Sequence, residues 1–379
     1  MTRILHLNHT GAVSGAEHSL LTLMAVLHER HELLLAAPAG DLLSRAADLG
    51  VRGVRVRGSS ASRRLHPRRT PRAVVQFVRA GVAIRRLARA HEIEVIHANS
   101  VRAGLIAAVA RCLGGPPFVV HVRDTVRGGG TATFVRAVIA RLAAHVVVVS
   151  DFVAADWTGD VSRIHNPIDC ERFRPDAADG RRWRRQAAIA DDAPLLAVVG
   201  QITPWKRQLL AVDAVAELRA THPDAQLVIA GEVKFAGLDT TLDNPGYLRQ
   251  LEARVHERGL GSYVRLLGER EDVPSLLRAA DVLLAPAQDE PFGRAVGEAL
   301  ATGTPAVIAA RGGTVEFLRD GVDGIVVDEG GDWAGACRRA LELAADQGGA
   351  AQRRTHACSV LSKDAHAAAL EALLGAAAR

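Results

Sequence analysis

Two glutamates eight residues apart, Glu290 and Glu298, stand in the run Asp289-Glu290-Pro291-Phe292-Gly293-Arg294-Ala295-Val296-Gly297-Glu298. Residues 281–286 form an apolar run that reads as a short buried strand leading into it. Pro291 and Gly293 break the chain. A helical stretch follows and stops at Gly303, and residues 305–308 read as a second strand. Glu290 then sits in the loop and Glu298 about one turn inside the helix. Helical side chains lean toward the N-terminus, so both carboxylates converge on whatever occupies the helix mouth. The unpaired amides after Phe292, through Gly293 and Arg294, form a ready site for phosphate there. Anion-binding amides beside two carboxylates suit a ligand that carries a diphosphate and several hydroxyls, as a nucleotide sugar does.

Glu290 and Glu298, with Pro-Phe-Gly after the first and Gly303-Thr304-Pro305 after the helix, resemble the glutamate pair of retaining glycosyltransferases of the family 4 type. A bare pair at this spacing is common and would read as a solvated helix face. Further motifs in the right order extend the resemblance to nearly the whole chain. It is sharp from Leu195 to Val327 and weaker before that. Ser14-Gly15-Ala16-Glu17 resembles the family's first loop, Gly-Gly-Ala-Glu, with Ser14 at its first glycine and Gly15 at its second. His121 stands where the family has a histidine close to the transferred sugar. Lys206 matches the lysine of an arginine–lysine pair near the donor diphosphate. Gln201 occupies the arginine position, and Arg207 lies nearby. Asn166-Pro167-Ile168-Asp169 resembles the family's Asn-Gly-Val-Asp junction, and Gly312 to Glu316 its Gly-Gly-x-x-Glu turn.

The elements that must position these residues alternate between strand and helix patterns. Residues 3–8, 33–37, 51–57, 94–99, 117–121 and 145–149 read as strands, the fifth ending at His121. Residues 71–90, 101–113 and about 133–143 read as helices, the last preceded by a loop at Gly128-Gly129-Gly130. A second alternation starts at residue 195. Such alternation implies parallel sheets with helices on both faces, and ligands gather at the carboxyl ends of the strands. That rule singles out His121, and on the acceptor side Asn99 and Arg123. His97 falls within its strand and reads as a buried structural histidine. The spacing around Gly15 is not that of a dinucleotide fingerprint, so hydride transfer is a weak reading.

The fold expected is α/β, two doubly wound Rossmann-like domains facing across a cleft, the arrangement called GT-B. Residues 1–165 form an acceptor-side domain on which a C-terminal helix, about 358–379, packs back. Residues 166–357 form the nucleotide-sugar domain. The resemblance implies retaining transfer from a UDP- or GDP-sugar to an acceptor hydroxyl. Glu298 would hold the ribose and Glu290 the transferred sugar. Gly15, Lys206 and the amides of Phe292, Gly293 and Arg294 would hold the diphosphate, with Gln201 and Arg207 beside it. Glu269 and Arg270 would lie near the base, and His121, Glu290 and Lys206 would be catalytic. No Asp-x-Asp pair occurs, and neither metal nor cofactor is expected. Two rival readings stand beside this one: a nucleotide-sugar 2-epimerase of the same architecture, and a non-catalytic nucleotide-sugar-binding regulator.

Hydrophobic content of 48% and charged content of 23% suit a globular chain. No apolar run reaches the ~20 residues that span a bilayer, and no apolar leader is apparent. The expectation is a cytoplasmic protein, with peripheral contact at the inner membrane face left open. The four cysteines, Cys112, Cys170, Cys337 and Cys358, have neither metal-ligand nor redox spacing and read as reduced thiols. The formal charge of +5 is unevenly placed: between Leu49 and His91 there are twelve arginines and no acidic residue. Such a stretch attracts an anionic or lipid-linked acceptor or a membrane surface. Nucleic acid is not expected, since aromatics are few and no recognition motif occurs.

Overall fold

The computed structural model describes residues 1–57, 70–234 and 242–379. The basic loop expected from residue 58 to 70, with Arg63, Arg64, Arg68 and Arg69, lies outside the described residues except for Thr70, as do residues 235–241. The chain divides into two compact units, one of Met1–Pro167 with Lys363–Arg379, the other of Ile168–Ser362.

The first unit opens with β1 (Arg3–Leu7), α1 (Gly15–Leu27), β2 (Glu32–Ala37), α2 (Asp41–Asp48) and β3 (Arg52–Arg55). It continues through α3 (Thr70–Ala90), β4 (Val95–Ala98), α4 (Val101–Cys112) and β5 (Phe118–Val122). Then come α5 (Gly129–Leu142), β6 (His145–Val148), α6 (Asp151–Ala154) and β7 (Ser162–Arg163). The strands make one seven-stranded sheet, ordered β3-β2-β1-β4-β5-β6-β7, with every pairing parallel. Its middle strands are buried on both faces, apolar except for His6, His97 and His121, because helices cover both.

The second unit runs α7 (Ala177–Gln186), β8 (Leu195–Val199), α8 (Gln208–Leu218), β9 (Gln226–Ala230), α9 (Asn244–Glu257) and β10 (Val264–Gly268). Next are α10 (Val273–Ala279), β11 (Val282–Ala285), α11 (Arg294–Thr302), β12 (Ala306–Ala309) and β13 (Gly324–Val327). It ends with α12 (Trp333–Ala345) and α13 (Gln347–Val360). Its six parallel strands are ordered β10-β9-β8-β11-β12-β13. Helix α14 (Lys363–Ala378) returns to the first unit. There Ala367, Leu370 and Leu374 join a core with Ile4, Leu23, Val95, Val119, Val147 and Ile164, and Glu371 pairs with Arg30 and His31. Residues 358–362 stay with the second unit.

Three local expectations need correction. Strand β5 does not end at His121: it runs on to Val122, and His121 lies in register with Val147 of β6. The triple glycine is not a loop before α5, since the helix starts at Gly129 with Gly128 as its cap. Packing of the helix against α4 outweighs the poor helix propensity of its first residues. The cysteines are not all reduced: Cys170 and Cys358 form a disulfide, with Cα atoms 6.0 Å apart. They meet because the chain enters and leaves the second unit at one place. Ile168 bridges Ser362 there, and its amide donates to the Leu361 carbonyl at 2.9 Å.

A cross-link that closes a loop of this length restricts the unfolded chain, typically by about 2–4 kcal/mol. Dithiothreitol should therefore lower the unfolding midpoint of the second unit. A Cys170→Ser/Cys358→Ser variant should melt at the reduced midpoint with or without reductant. Identical wild-type thermal scans in both conditions would remove the bond from the native protein.

Candidate functional site

In each sheet the strand order reverses at one gap, and the loops on its two sides diverge from the carboxyl ends of neighbouring strands. In the second unit the gap lies between β8 and β11. Strand β8 leads through Gly200 and Gln201 into a tight 3-10 turn, Pro204–Lys206. Strand β11 leads into residues 286–293 and then α11. The two loops bring Lys206 Nζ to 2.5 Å from Glu290 Oε2, both side chains largely buried. Lys206 also lies over the Trp205 ring, 4.4 Å from its centroid, a favourable cation–π arrangement.

The Glu290 loop is clamped by a second turn, Gly313–Glu316. The Gly313 amide donates to the Glu290 carbonyl at 2.7 Å, and Arg311 pairs with Asp289 at 2.6 Å. Gly312 has φ +137°, and a Cβ there would lie 2.7 Å from the Glu290 carbonyl oxygen. Gly293, with φ +88°, caps α11 and would collide with Thr314 if it carried a side chain. Only glycine fits either position. The first turn of α11 thus begins beside the Glu290 loop. The Phe292 side chain is buried against Phe317, with ring centroids 4.9 Å apart, so Phe292 can offer a ligand only backbone.

Glu298 lies one turn along α11 and is 8% exposed. Arg294 donates to its Oε1 at 2.8 Å. Burial raises the pKa of Glu298, and the Arg294 guanidinium opposes that, followed by Arg172. The other expected donor-side residues have partners within their own unit. Arg270 holds Asp272 with two bonds of 2.8 and 2.7 Å, and Asp272 also accepts from Trp183 Nε1, so Arg270 braces α10. Glu269 pairs with Lys234 after β9. The Gln201 carbonyl accepts from Gln208 Nε2 at 2.8 Å. Arg207 adopts the left-handed conformation, φ 55°, at the start of α8.

In the first unit the gap lies between β1 and β4, and the polar residues there are buried. Asn8 and Asn99 end the two strands, His6 and His97 precede them, and His121 and Arg123 flank the end of β5. His6 and His97 meet through their Nδ1 atoms at 2.9 Å, and His97 and His121 stack edge to face at 5.6 Å. Burial first, then neighbouring positive groups, holds His97 and His121 well below the usual histidine range and His6 at about 3. All three are neutral donors or acceptors near neutral pH. His97 is structural, as its place within the strand predicts. Gly15 is the first residue of α1, and Ser14 before it caps the helix through Glu17. Asn8, Glu17 and Asn166 are buried members of this polar group to which sequence reading gave no site role. Glu17 and Asn166 were in view only within the first-loop and junction motifs. Among the described residues no group of three or more His, Cys, Asp or Glu is arranged to hold a metal ion.

Two all-parallel α/β units with these sites at their gaps define the GT-B class of fold. Residues 13–172 match the family described as Glycosyltransferase Family 4, and residues 179–357 match Glycosyl transferases group 1. The chain belongs to the glycosyltransferases of the family 4 type. It is similar to a D-inositol 3-phosphate glycosyltransferase of Nocardioides sp., 30% identical over 277 residues, or 66% of this chain and 60% of that one. The corresponding protein of Mycolicibacterium vanbaalenii is 38% identical over 194 residues, 48% of this chain and 40% of that one. The chain therefore matches less than two thirds of the length of these curated relatives. Among solved structures, Anabaena Alr3699/HepE in complex with UDP and glucose superposes with a TM-score of 0.82 at 22% identity, covering 99% of this chain and all of that one. Sucrose-phosphate synthase of Thermosynechococcus elongatus superposes with a TM-score of 0.80 at 19% identity, covering 98% of each chain.

Gly312→Ala should force the Glu290 backbone away from its clamp, at a cost of about 1–3 kcal/mol. Urea titration should read that loss, and the variant's structure should show Lys206 and Glu290 separated. An unchanged ion pair in the variant would free the loop from dependence on Gly312.

Proposed function

We propose that this protein transfers a sugar from a nucleotide-sugar donor to an acceptor hydroxyl, with retention at the anomeric carbon and without a metal. The observation that carries the reading is the pairing at the gap of the second unit: Lys206 with Glu290, and Arg294 with Glu298, around the amino end of α11. Lys206 has three N–H donors and can keep Glu290 while it binds a phosphate oxygen. With Glu298 Oε1 held by Arg294, Oε2 is left for ribose hydroxyls. The leaving diphosphate gains negative charge as the glycosidic bond breaks. Lysine and amides aimed at it stabilise that charge more in the transition state than in the ground state. Glu290 would then hold hydroxyls of the sugar. A UDP-sugar is the donor we favour over a GDP-sugar, since the similar Anabaena protein is described in complexes with UDP and with UDP-glucose.

For the acceptor we propose an anionic molecule bound by the first unit. Arg52, Arg55, Arg57, Arg79, Arg86 and Arg89 are exposed there, and the curated relatives are named for D-inositol 3-phosphate. A lipid-linked acceptor is the second reading. On α3, Val75, Val78, Arg79, Arg86 and Arg89 recur at helical spacing and are exposed on one face, a mixture that suits an anionic bilayer surface. No described helix is long and apolar enough to cross a membrane.

Glu298→Ala should weaken UDP binding by roughly 30- to 150-fold, the equivalent of about 2–3 kcal/mol in charged hydrogen bonds. Lys206→Ala should lower kcat by roughly 10²- to 10³-fold with a smaller change in KM. Wild-type turnover should survive EDTA, and the product should keep the donor's anomeric configuration. Unchanged calorimetric affinity in Glu298→Ala would take that residue out of the site. Turnover abolished by chelator and restored by magnesium would overturn the metal-free mechanism. Epimerised or merely hydrolysed donor would favour a different activity.

Vesicles separate the two acceptor readings. With anionic lipid at low salt, wild type should co-sediment, and an Arg79→Ser/Arg86→Ser/Arg89→Ser variant should lose about 1 kcal/mol per residue removed. Absence of wild-type binding at low salt leaves the soluble anionic acceptor.

A further inference from the structure

Arg123 is a buried cation, 6% exposed, held by two side-chain amides and facing a histidine. Its Nε donates to Asn99 Oδ1 at 2.7 Å, Nη1 to Asn166 Oδ1, and Nη2 faces His121 Nδ1 at 3.3 Å. The amides carry the charge balance further. Asn99 Nδ2 donates to Asn8 Oδ1 at 3.1 Å, and Asn8 Nδ2 donates to Glu17 Oε1 at 3.0 Å. Glu17, 1% exposed, is fixed by the Ser14 amide at 3.1 Å and the Ser14 hydroxyl at 2.6 Å. Each amide therefore has one possible orientation: N–H toward Glu17 and oxygen toward Arg123. The guanidinium and the carboxylate sit at the two ends of an aligned relay, in which each bond strengthens the next.

The relay ends on a histidine. A guanidinium only donates, so the His121 Nδ1 that faces it presents a lone pair. In a neutral imidazole the proton then belongs on Nε2. His121 is fully buried, and its Nε2, like those of His6 and His97, has no hydrogen-bond partner. Such a group calls for an explanation, and His121 differs from the other two in having a guanidinium against its other ring nitrogen. We propose that Arg123 is a positioning residue. Held by Glu17 through Asn8 and Asn99, it fixes His121 as the Nε2–H tautomer, a preset donor for a substrate hydroxyl. The substrate part of this inference rests on the glycosyl-transfer reading; the tautomer part does not.

The groups facing His121 are His97 on β4, Arg123 after β5, His366 on α14 and the Ile164 backbone. Burial, then Arg123, and to a lesser degree His366, keep the ring neutral, and the Ile164 backbone acts in the opposite sense. Removing the Arg123 charge should therefore raise the His121 pKa, and His121 should become protonated at a higher pH.

The test is two-bond proton–nitrogen NMR on protein labelled with ¹⁵N-histidine, with His121 assigned by His121→Gln. Wild type should show His121 as the Nε2–H tautomer from about pH 5.5 to 8. Arg123→Gln should give mixed tautomers and an imidazolium as pH falls, and Glu17→Gln, by loosening Arg123, should weaken the tautomer preference in the same sense by less. In turnover assays Arg123→Gln should lose on the order of 10- to 100-fold in kcat, with less than about a twofold change in donor KM and an acid limb moved to higher pH. Arg123→Lys keeps a charged donor and should recover part of the tautomer preference. A wild-type Nδ1–H tautomer overturns the proposal. So does an Arg123→Gln protein whose tautomer and pH profile match wild type. If Arg123→Gln does not fold, the wild-type tautomer and the Glu17→Gln shift decide the matter. Failure of transfer activity with the tautomer as expected would count against the enzyme reading alone.

Discussion

Lys206 and Glu290 are 84 residues apart in sequence and meet because of one constraint on parallel sheets. Crossover connections keep every strand pointing the same way, so all strand-to-helix turns fall on one edge. Where the order reverses, between β8 and β11, neighbouring strands send their turns to opposite sides. That leaves room for a ligand and places two unrelated loops on its flanks. The cation comes from one loop and the carboxylate from the other. The Gly312 and Gly293 positions, the Phe292–Phe317 packing and the start of α11 all serve to hold the second loop against that gap.

Arginine has two roles in this chain, and only one of them is an exposed charge. Arg353, 1% exposed, donates from Nε to the Gly303 carbonyl where α11 ends, and from Nη2 to the Leu343 carbonyl on α12. Arg184, 5% exposed, gathers carbonyls of Ala279 and Ala193 at 2.8 Å each and pairs with Asp281. The planar fork suits this because several carbonyls can share one guanidinium. Helix carboxyl ends, which carry partial negative charge and unpaired carbonyls, are its natural partners. Part of the basic composition is therefore internal scaffolding, distinct from the acid-free stretch of the first unit.

Much that depends on local spacing was legible in the sequence: the alternation of strands and helices, the break at Gly293, and Glu290 before and Glu298 within one helix. Long-range geometry was not. Cys170 and Cys358 are 188 positions apart and have no local signature of pairing. Arg270 was a candidate from its place after β10 alone, and its fork on Asp272, itself held by Trp183, depends on packing that local sequence does not show. His121 was placed one residue too near the strand end, because β-sheet pairing with β6 extends β5 beyond the apolar run that sequence reading recognises. Asn8 and Asn99 are ordinary polar residues until β1 and β4 are neighbours. Only then do their amides become links between two buried charges.

The return of α14 to the first unit orders events during synthesis. Residues 168–362 are contiguous, so the second unit can fold as soon as α13 leaves the ribosome. The first unit is made earlier and yet cannot finish earlier. Its sheet leaves Ile4, Val95, Val119 and Val147 only partly covered, by Leu23, Val26 and Leu27 of α1, until Ala367, Leu370 and Leu374 arrive. Through most of translation the nascent chain thus carries an apolar sheet face whose cover is incomplete. A chaperone that shields such a face would act on this unit first and release it last, and the order of completion would be the reverse of the order of the genetic message.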